Sequence, residues 1–185
     1  MHYTGIGSRE TPQHILDIMR KAAFFFASKR VVLRSGKAAG ADEWFQLGVQ
    51  DYAEQHASNH LAEIYIPWRG FKTEKLLPRW DKLITDETIV SKAEQIASEI
   101  HPAWNACSRG AKALHTRNVY QVLGATLDKP SDFLVCYAKP TANKKSIQGG
   151  TATAYNLAKL HGVKTFNLFF EEELEALREF TKEIV

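Results

Sequence analysis

The sequence predicts an α/β fold: a Rossmann-like parallel sheet with helices on both faces and a helical insertion between the third and fourth strands. Three observations carry this. Short apolar runs rich in β-branched and aromatic residues alternate with segments of helical periodicity. Each run is apolar throughout, the pattern of a strand covered on both sides. Three strand ends pass through glycine-rich loops into helix starts, as in strand–loop–helix units.

Tyr3 to Ile6 opens as a strand and runs into Gly5-Ile6-Gly7-Ser8-Arg9. Thr11-Pro12 then offers an N-cap with proline at the first helical position. Ile15, Met19, Ala22 and Phe26 recur at helical spacing, so a helix is expected from Thr11 to about Lys29. Val31-Val32-Leu33 is a second strand, leading into a loop over Ser35 to Asp42 and a helix to about His56. Leu61 to Ile66 is the third strand, closed by Pro67. Thr88 to Ile100 and about Ser108 to Gly124 read as helices, and residues 67–132 hold no convincing strand. That stretch, about 68–130, is the expected insertion within one domain spanning residues 1–185. Phe133 to Tyr137 is the fourth strand, followed by the loop Lys139 to Gly150 and a helix over Thr151 to Leu160 that ends at Gly162. Val163 to Phe169 is the fifth strand. Glu171 to Ile184 is a final amphipathic helix whose leading acids complement its dipole.

Composition narrows the function classes. With 44% apolar and 24% charged residues, the chain matches ordinary globular usage, which excludes disordered and fibrous readings. No apolar run approaches a membrane span and no leader pattern precedes the first strand, so a cytoplasmic protein without membrane partners is expected. Cys107 and Cys136 show no CxxC or Cys/His ligand spacing, so free thiols and no metal site are expected. The net charge is +3, but residues 171–185 carry six acids and two bases, leaving +7 on residues 1–170. Such an excess suits an anionic small molecule as well as nucleic acid.

The chemistry concentrates at Thr4 to Arg9, Ser35 to Asp42, and Gln148 to Thr153. Unpaired backbone N–H groups and the positive dipole end at a helix start favour an anion, and glycine lets phosphate approach the backbone. In a parallel sheet these ends share one edge. Gly36-Lys37 is followed by Ala38, which excludes a Walker motif, and Glu10 stands where a dinucleotide fingerprint needs its third glycine.

These residues resemble a family. TGIGSR followed by TP, RSGxAxGAD, IPW, HPAW, LHTRN with YQVLG, and a late GGT before a helix are similar to the SLOG (DprA-like, lysine-decarboxylase-like) Rossmann superfamily. Small, largely uncharacterised phage- and bacterium-encoded nucleotide-binding members match best, over nearly the whole chain. The superfamily also includes single-stranded DNA binders, sensors of nucleotide signals and phosphoribohydrolases. In the hydrolase branch an M-h-x-R-K helix precedes P-G-G-x-G-T-x-E-E, with the arginine and final glutamate catalytic. Leu114 to Asn118 is similar to the first element, so Arg117 matches the arginine while Asn118 replaces the lysine. Gly149 to Asn156 is similar to the second, but Tyr155 and Asn156 stand where the glutamates would be. An amide has no titratable proton near neutrality, which argues against phosphoribohydrolysis by that route.

Single residues keep competing readings. Arg9 either clamps phosphate or makes a surface ion pair, and Arg117, off the apolar stripe of its helix, is cleft-facing or merely solvated. Asp42 either starts the second helix or meets a ribose hydroxyl or metal, and Trp68 either stacks on a base or belongs to a satellite core. His101 and His115 read as ordinary histidines, and Lys144-Lys145 as a solvated pair. The candidate ligand-binding set is Gly5, Gly7, Ser8, Arg9, Ser35, Gly36, Lys37, Gly40, Asp42, Trp68, Arg117, Asn118, Gly149, Gly150, Thr151 and Thr153. Arg117, Asp42 and Glu43 are the catalytic candidates. The leading expectation is a binder of a phosphorylated nucleotide or ADP-ribose-like ligand that senses or sequesters it, with no other cofactor. An N-glycosidic or phosphoribosyl hydrolase is the alternative. A DprA-like single-stranded nucleic-acid binder comes third, because no Lys/Arg stripe is interleaved with aromatics. Self-association into a homo-oligomer stays open.

Overall fold

The computed structural model describes residues 1–71, 76–143 and 145–183; Lys144 and Ile184 lie outside these. Strand β1 (His2–Gly5) is followed by helix α1 (Gln13–Ser28), β2 (Val32–Ser35), α2 (Ala41–His56) and β3 (Ala62–Tyr65). Then come a two-residue strand β4 (Asp81–Lys82), α3 (Glu87–Ile100), α4 (Arg109–Leu123) and β5 (Phe133–Cys136). Helix α5 (Ala152–Leu160), β6 (Lys164–Asn167) and α6 (Glu171–Glu183) complete the chain. The sheet is parallel throughout, in the order β4-β3-β2-β1-β5-β6. This is the expected Rossmann-like α/β architecture. From β1 the chain moves outward through β2 and β3, then returns to β5 on the other side of β1. The crevice between the C-terminal ends of β1 and β5 is therefore a topological switch point, where ligands bind in open α/β sheets.

Alternation of side chains across each strand builds a core on either face. Tyr3, Leu33, Ile64 and Phe133 bury against α1, α2 and α6, with Phe26 and Phe45 packed on the Tyr3 ring. Leu134, Cys136 and Tyr65 face the opposite core with Val119, Tyr120 and Leu157 of α4 and α5. Asp86 and Ser108 cap α3 and α4 through their side chains.

Two expectations need correction. Strand β4 lies inside the stretch read as strandless. Both its residues are polar, and tertiary ion pairs hold them: Lys37 Nζ to Asp81 at 2.6 Å and Lys82 Nζ to Glu63 at 2.9 Å. Helices α3 and α4 lie in the expected helical stretch, and α4 covers the second core before the chain returns to β5. Helix α1 begins at Gln13, not Thr11, because the Thr11 hydroxyl donates to the Ser8 carbonyl at 2.7 Å instead of capping.

One polar network sits inside the second core. The Arg34 guanidinium, only 3% exposed, donates to Glu63 at 2.9 Å and to the Lys129 carbonyl at 2.6 Å. Glu63 also accepts from Tyr65 and Lys82. Burial pushes the Glu63 carboxyl up, but its bonds from Lys82, Arg34 and Tyr65 outweigh burial and hold it at about 2.

Candidate functional site

At the switch point the β1 loop, the β2 loop and the α5 start enclose a cleft of about 370 Å³, walled on its remaining side by α4. That size suits a small ligand. Gly7, Ser8 and Arg9 line it from the first loop, Ala38 and Asp42 from the second, and Gly149, Gly150 and Thr151 from the third. Helix α4 contributes His115, Arg117, Asn118 and Gln121. Arg117 lies on the wall, 6% exposed, which decides its orientation in favour of the cleft.

Side chains tie the loops together. The Asp42 carboxylate accepts the Gly7 N–H at 3.2 Å and backbone bonds from Ala38 and Gly36. Burial pushes Asp42 up, while nearby Arg117 and these amides pull it down without cancelling the effect. Burial likewise pulls Arg117 down, Asp42 opposes it, and Arg9 adds to it. The two buried charges compensate each other. Arg117 Nη1 donates to the Gly36 carbonyl and its Nε to Asn118 Oδ1 at 3.1 Å. Asn118 Nδ2 reaches on to the Gly150 carbonyl at 2.8 Å. Asn118 thus couples Arg117 to the third loop.

The glycines divide into two kinds. A Cβ on Gly5 would lie 2.8 Å from both Leu33 and Phe45, inside the first core. One on Gly7 would lie 2.7 Å from Ala41 Cβ and 3.0 Å from the Tyr137 backbone. One on Gly36 would lie 1.8 Å from Arg117 Nη1 and 2.5 Å from Gln121 Nε2. Gly40, at φ +88°, would press 2.7 Å against the Arg9 Cα. Internal packing therefore requires Gly5, Gly7 and Gly40, while Gly36 faces only the movable ends of the Arg117 and Gln121 side chains. A Cβ on Gly149 or Gly150 would meet nothing within 4 Å. The N–H groups of Gly149, Gly150 and Thr151 have no acceptor among the described residues. They are presented at the N-terminus of α5, where the dipole is positive.

Several expected site residues stand elsewhere. Lys37 is 3% exposed, is spent on Asp81, and does not line the cleft. Ser35 is buried and donates to the Gly5 carbonyl at 2.6 Å. Glu43 is off the wall. Trp68 is 43% exposed outside the cleft, edge-on to Phe71 at 5.2 Å. Thr153 sits behind the wall, in contact with His115 Nδ1 at 2.8 Å. Tyr155 is buried in the second core, and Asn156 accepts from Ser146 at 2.8 Å outside the cleft.

One wall residue, Gln121, went unnoticed in sequence, and another, His115, read there as an ordinary histidine. Gln121 follows Arg117 by one helical turn, so the i, i+4 rule places it on the same face. Its Nε2 is buried with no hydrogen-bond partner among the described residues. His115 lines the cleft, and burial, then His101 and Arg117, lower its imidazole to about 4. Arg117 also borders a hollow of about 530 Å³ that includes Ile66, Pro67 and Tyr120, whose hydroxyl likewise has no partner among the described residues. Among the described residues no helix is long and apolar enough to cross a membrane. No protein-family model, curated protein or solved structure matches the chain.

Proposed function

We propose that this cleft binds the phosphate of a nucleotide or ADP-ribose-like ligand and holds it without turnover, as a sensor or sequestering protein of the SLOG superfamily. The observation that carries the reading is the run of three unpartnered amides, Gly149 to Thr151, at a helix start facing a wall that holds Arg117. Buried donors without acceptors are costly, so the lone Gln121 Nε2 on the same wall gives the pocket a second reason to take an oxygen-rich ligand. Arg9, exposed at the rim, supplies a further charge-assisted bond. The hollow beyond Arg117 offers apolar surface to a base.

Binding without turnover follows from the carboxylates. Among the described residues the wall carries only Asp42 and Glu10, and Asp42 is committed to backbone amides. Neither Tyr155 nor Asn156 reaches the cleft.

The test is calorimetry with nucleoside monophosphates, ADP-ribose and the matching nucleosides, on wild type and Gly150→Val. The expected result is phosphate-dependent binding that Gly150→Val abolishes while the fold survives, with the ligand recovered intact by chromatography. Equal affinity for nucleotide and nucleoside would overturn the phosphate reading, and released base would overturn the binder in favour of a hydrolase. A steep loss of affinity with salt for oligonucleotides over mononucleotides would favour single-stranded nucleic acid.

A further inference from the structure

We infer that His101, Cys107 and His115 form a three-ligand site for a divalent transition-metal ion of the zinc class, beside the cleft and with its fourth position open. The inference does not rest on the nucleotide reading. His101 ends α3, Cys107 follows a short 3₁₀ turn, and His115 projects from the second turn of α4. The α3–α4 packing folds this hairpin so that one ligand atom from each residue lies within 4.8 Å of the others. Cys107 Sγ stands 3.8 Å from His101 Nδ1 and 3.9 Å from Nε2. The two imidazoles lie 4.2 Å apart between centroids, tilted by 55°. In a tetrahedral site with Zn–S of about 2.3 Å and Zn–N of about 2.0 Å, ligand atoms lie roughly 3.3–3.6 Å apart. Small side-chain rotations close the difference.

Local structure accounts for part of this cluster but not for its convergence. His101 Nδ1 accepts the Ala103 N–H at 3.2 Å, so the lone pair sits on that nitrogen and a metal bound there takes the place of this long bond, and Cys107 donates weakly to the Ala103 carbonyl. Neither contact requires the His115 ring to share the same centre. His115 Nδ1 is in contact with Thr153 Oγ1 at 2.8 Å. With that nitrogen donating to the hydroxyl, Nε2 is left as the ligand, the outer partner that fixes a metal-bound imidazole. Two imidazoles and a thiolate suit zinc, cobalt or copper over magnesium or calcium. Three protein ligands leave one position free, as in catalytic rather than structural zinc sites. His101 and His115 border a hollow of about 310 Å³ that shares Gly149 and Gly150 with the main cleft, so the open position adjoins the same loop.

The test is a Co²⁺ titration of chelator-treated protein followed by absorption. The expected result is one equivalent bound, tetrahedral visible bands with a thiolate-to-cobalt band in the near ultraviolet, and displacement of all of them by Zn²⁺. Cys107→Ser should remove the thiolate band, His115→Gln should weaken binding by at least 100-fold, and Thr153→Val should weaken it 10- to 100-fold through the outer shell. Circular dichroism of each variant separates ligand loss from unfolding. A wild type that shows no thiolate band, or a band that survives Cys107→Ser in a folded variant, overturns the site.

Discussion

The second and third glycine loops each lead into a helix at the same sheet edge, yet a Cβ on Gly40 would press 2.7 Å against the Arg9 and Ser8 backbone, whereas one on Gly150 meets nothing within 4 Å. The second loop is part of the interior. Its serine, lysine and aspartate are all buried and spent on Gly5, Asp81 and the loop amides. The third loop keeps its amides and its glycines open. Similar composition thus serves two ends: glycine in the first two loops makes room for the protein's own groups, and glycine in the third leaves room for something else. The predictions that follow test this division, from the largest expected effect to the smallest.

Gly40→Ala should be the most damaging. Its backbone, at φ +88°, is one that side chains rarely adopt, and the methyl would press on the Arg9 backbone. Strain of about 1–3 kcal/mol and overpacking of a similar size add to an expected loss of about 3–5 kcal/mol in urea unfolding. A loss below about 1 kcal/mol would break the claim that the second loop is packed as interior.

Glu63→Gln addresses the ion pairs that attach the sheet edge beneath that loop. Removing one partner of a buried pair leaves Arg34 uncompensated, at a cost of about 3 kcal/mol. The sign of the pH dependence follows from the carboxyl, held at about 2 against an ordinary 4.5. Its contribution is fully present above about pH 4.5 and is lost as pH falls towards 2. Wild-type stability should therefore converge on that of the variant over this window, read as the difference in urea midpoints. A constant difference from pH 6 to pH 2 would remove Glu63 from the account.

These effects show which features were legible in sequence. The parallel sheet was, because short runs rich in apolar residues, continuous in Phe133 to Cys136, alternate with segments of clear helical periodicity. Strand β4 was not, because Asp81 and Lys82 are placed by distant ion pairs rather than by their own propensity. The cleft's location was legible from the three loops, and Arg117 and Asn118, singled out in the sequence, both line it. The roles of individual glycines were not, since what a Cβ would meet is set by residues up to 81 positions away, as with Gly36 and Arg117. Lys37 looked like a phosphate ligand for the same reason, with nothing local announcing Asp81. The convergence of His101, Cys107 and His115 depends on how α3 packs on α4, and their spacing follows no common metal-site pattern.

Arg9→Ala sharpens the comparison on the ligand side. Arg9 is exposed and has no ion pair among the described residues, so stability should hold. Nucleotide affinity should fall by about 1.5 kcal/mol, the low end for a bond to a charged group, while nucleoside affinity stays put. The same truncation at Arg117 is a poorer probe, because that side chain also fills the space above Gly36 and its charge offsets that of buried Asp42. Calorimetry showing equal losses for both ligands in Arg9→Ala would break the rim role.

Gly150→Ala is the mirror image of the first substitution. No neighbour lies within 4 Å of the added methyl, and the residue is outside the positive-φ region that disfavours side chains. Ala also narrows the unfolded ensemble, which stabilises a compatible site by about 0.4–1 kcal/mol. The expected change in urea unfolding is therefore between zero and a small gain, opposite in sign to Gly40→Ala. On the ligand side the methyl stands over the amides of Gly149 to Thr151, so nucleotide affinity should fall although stability does not. A variant that is stable and binds as tightly as wild type would mean that the third loop's open glycines serve no ligand. A variant that loses more than about 1 kcal/mol of stability would mean that this loop is packed like the other two, and the division between them would fail.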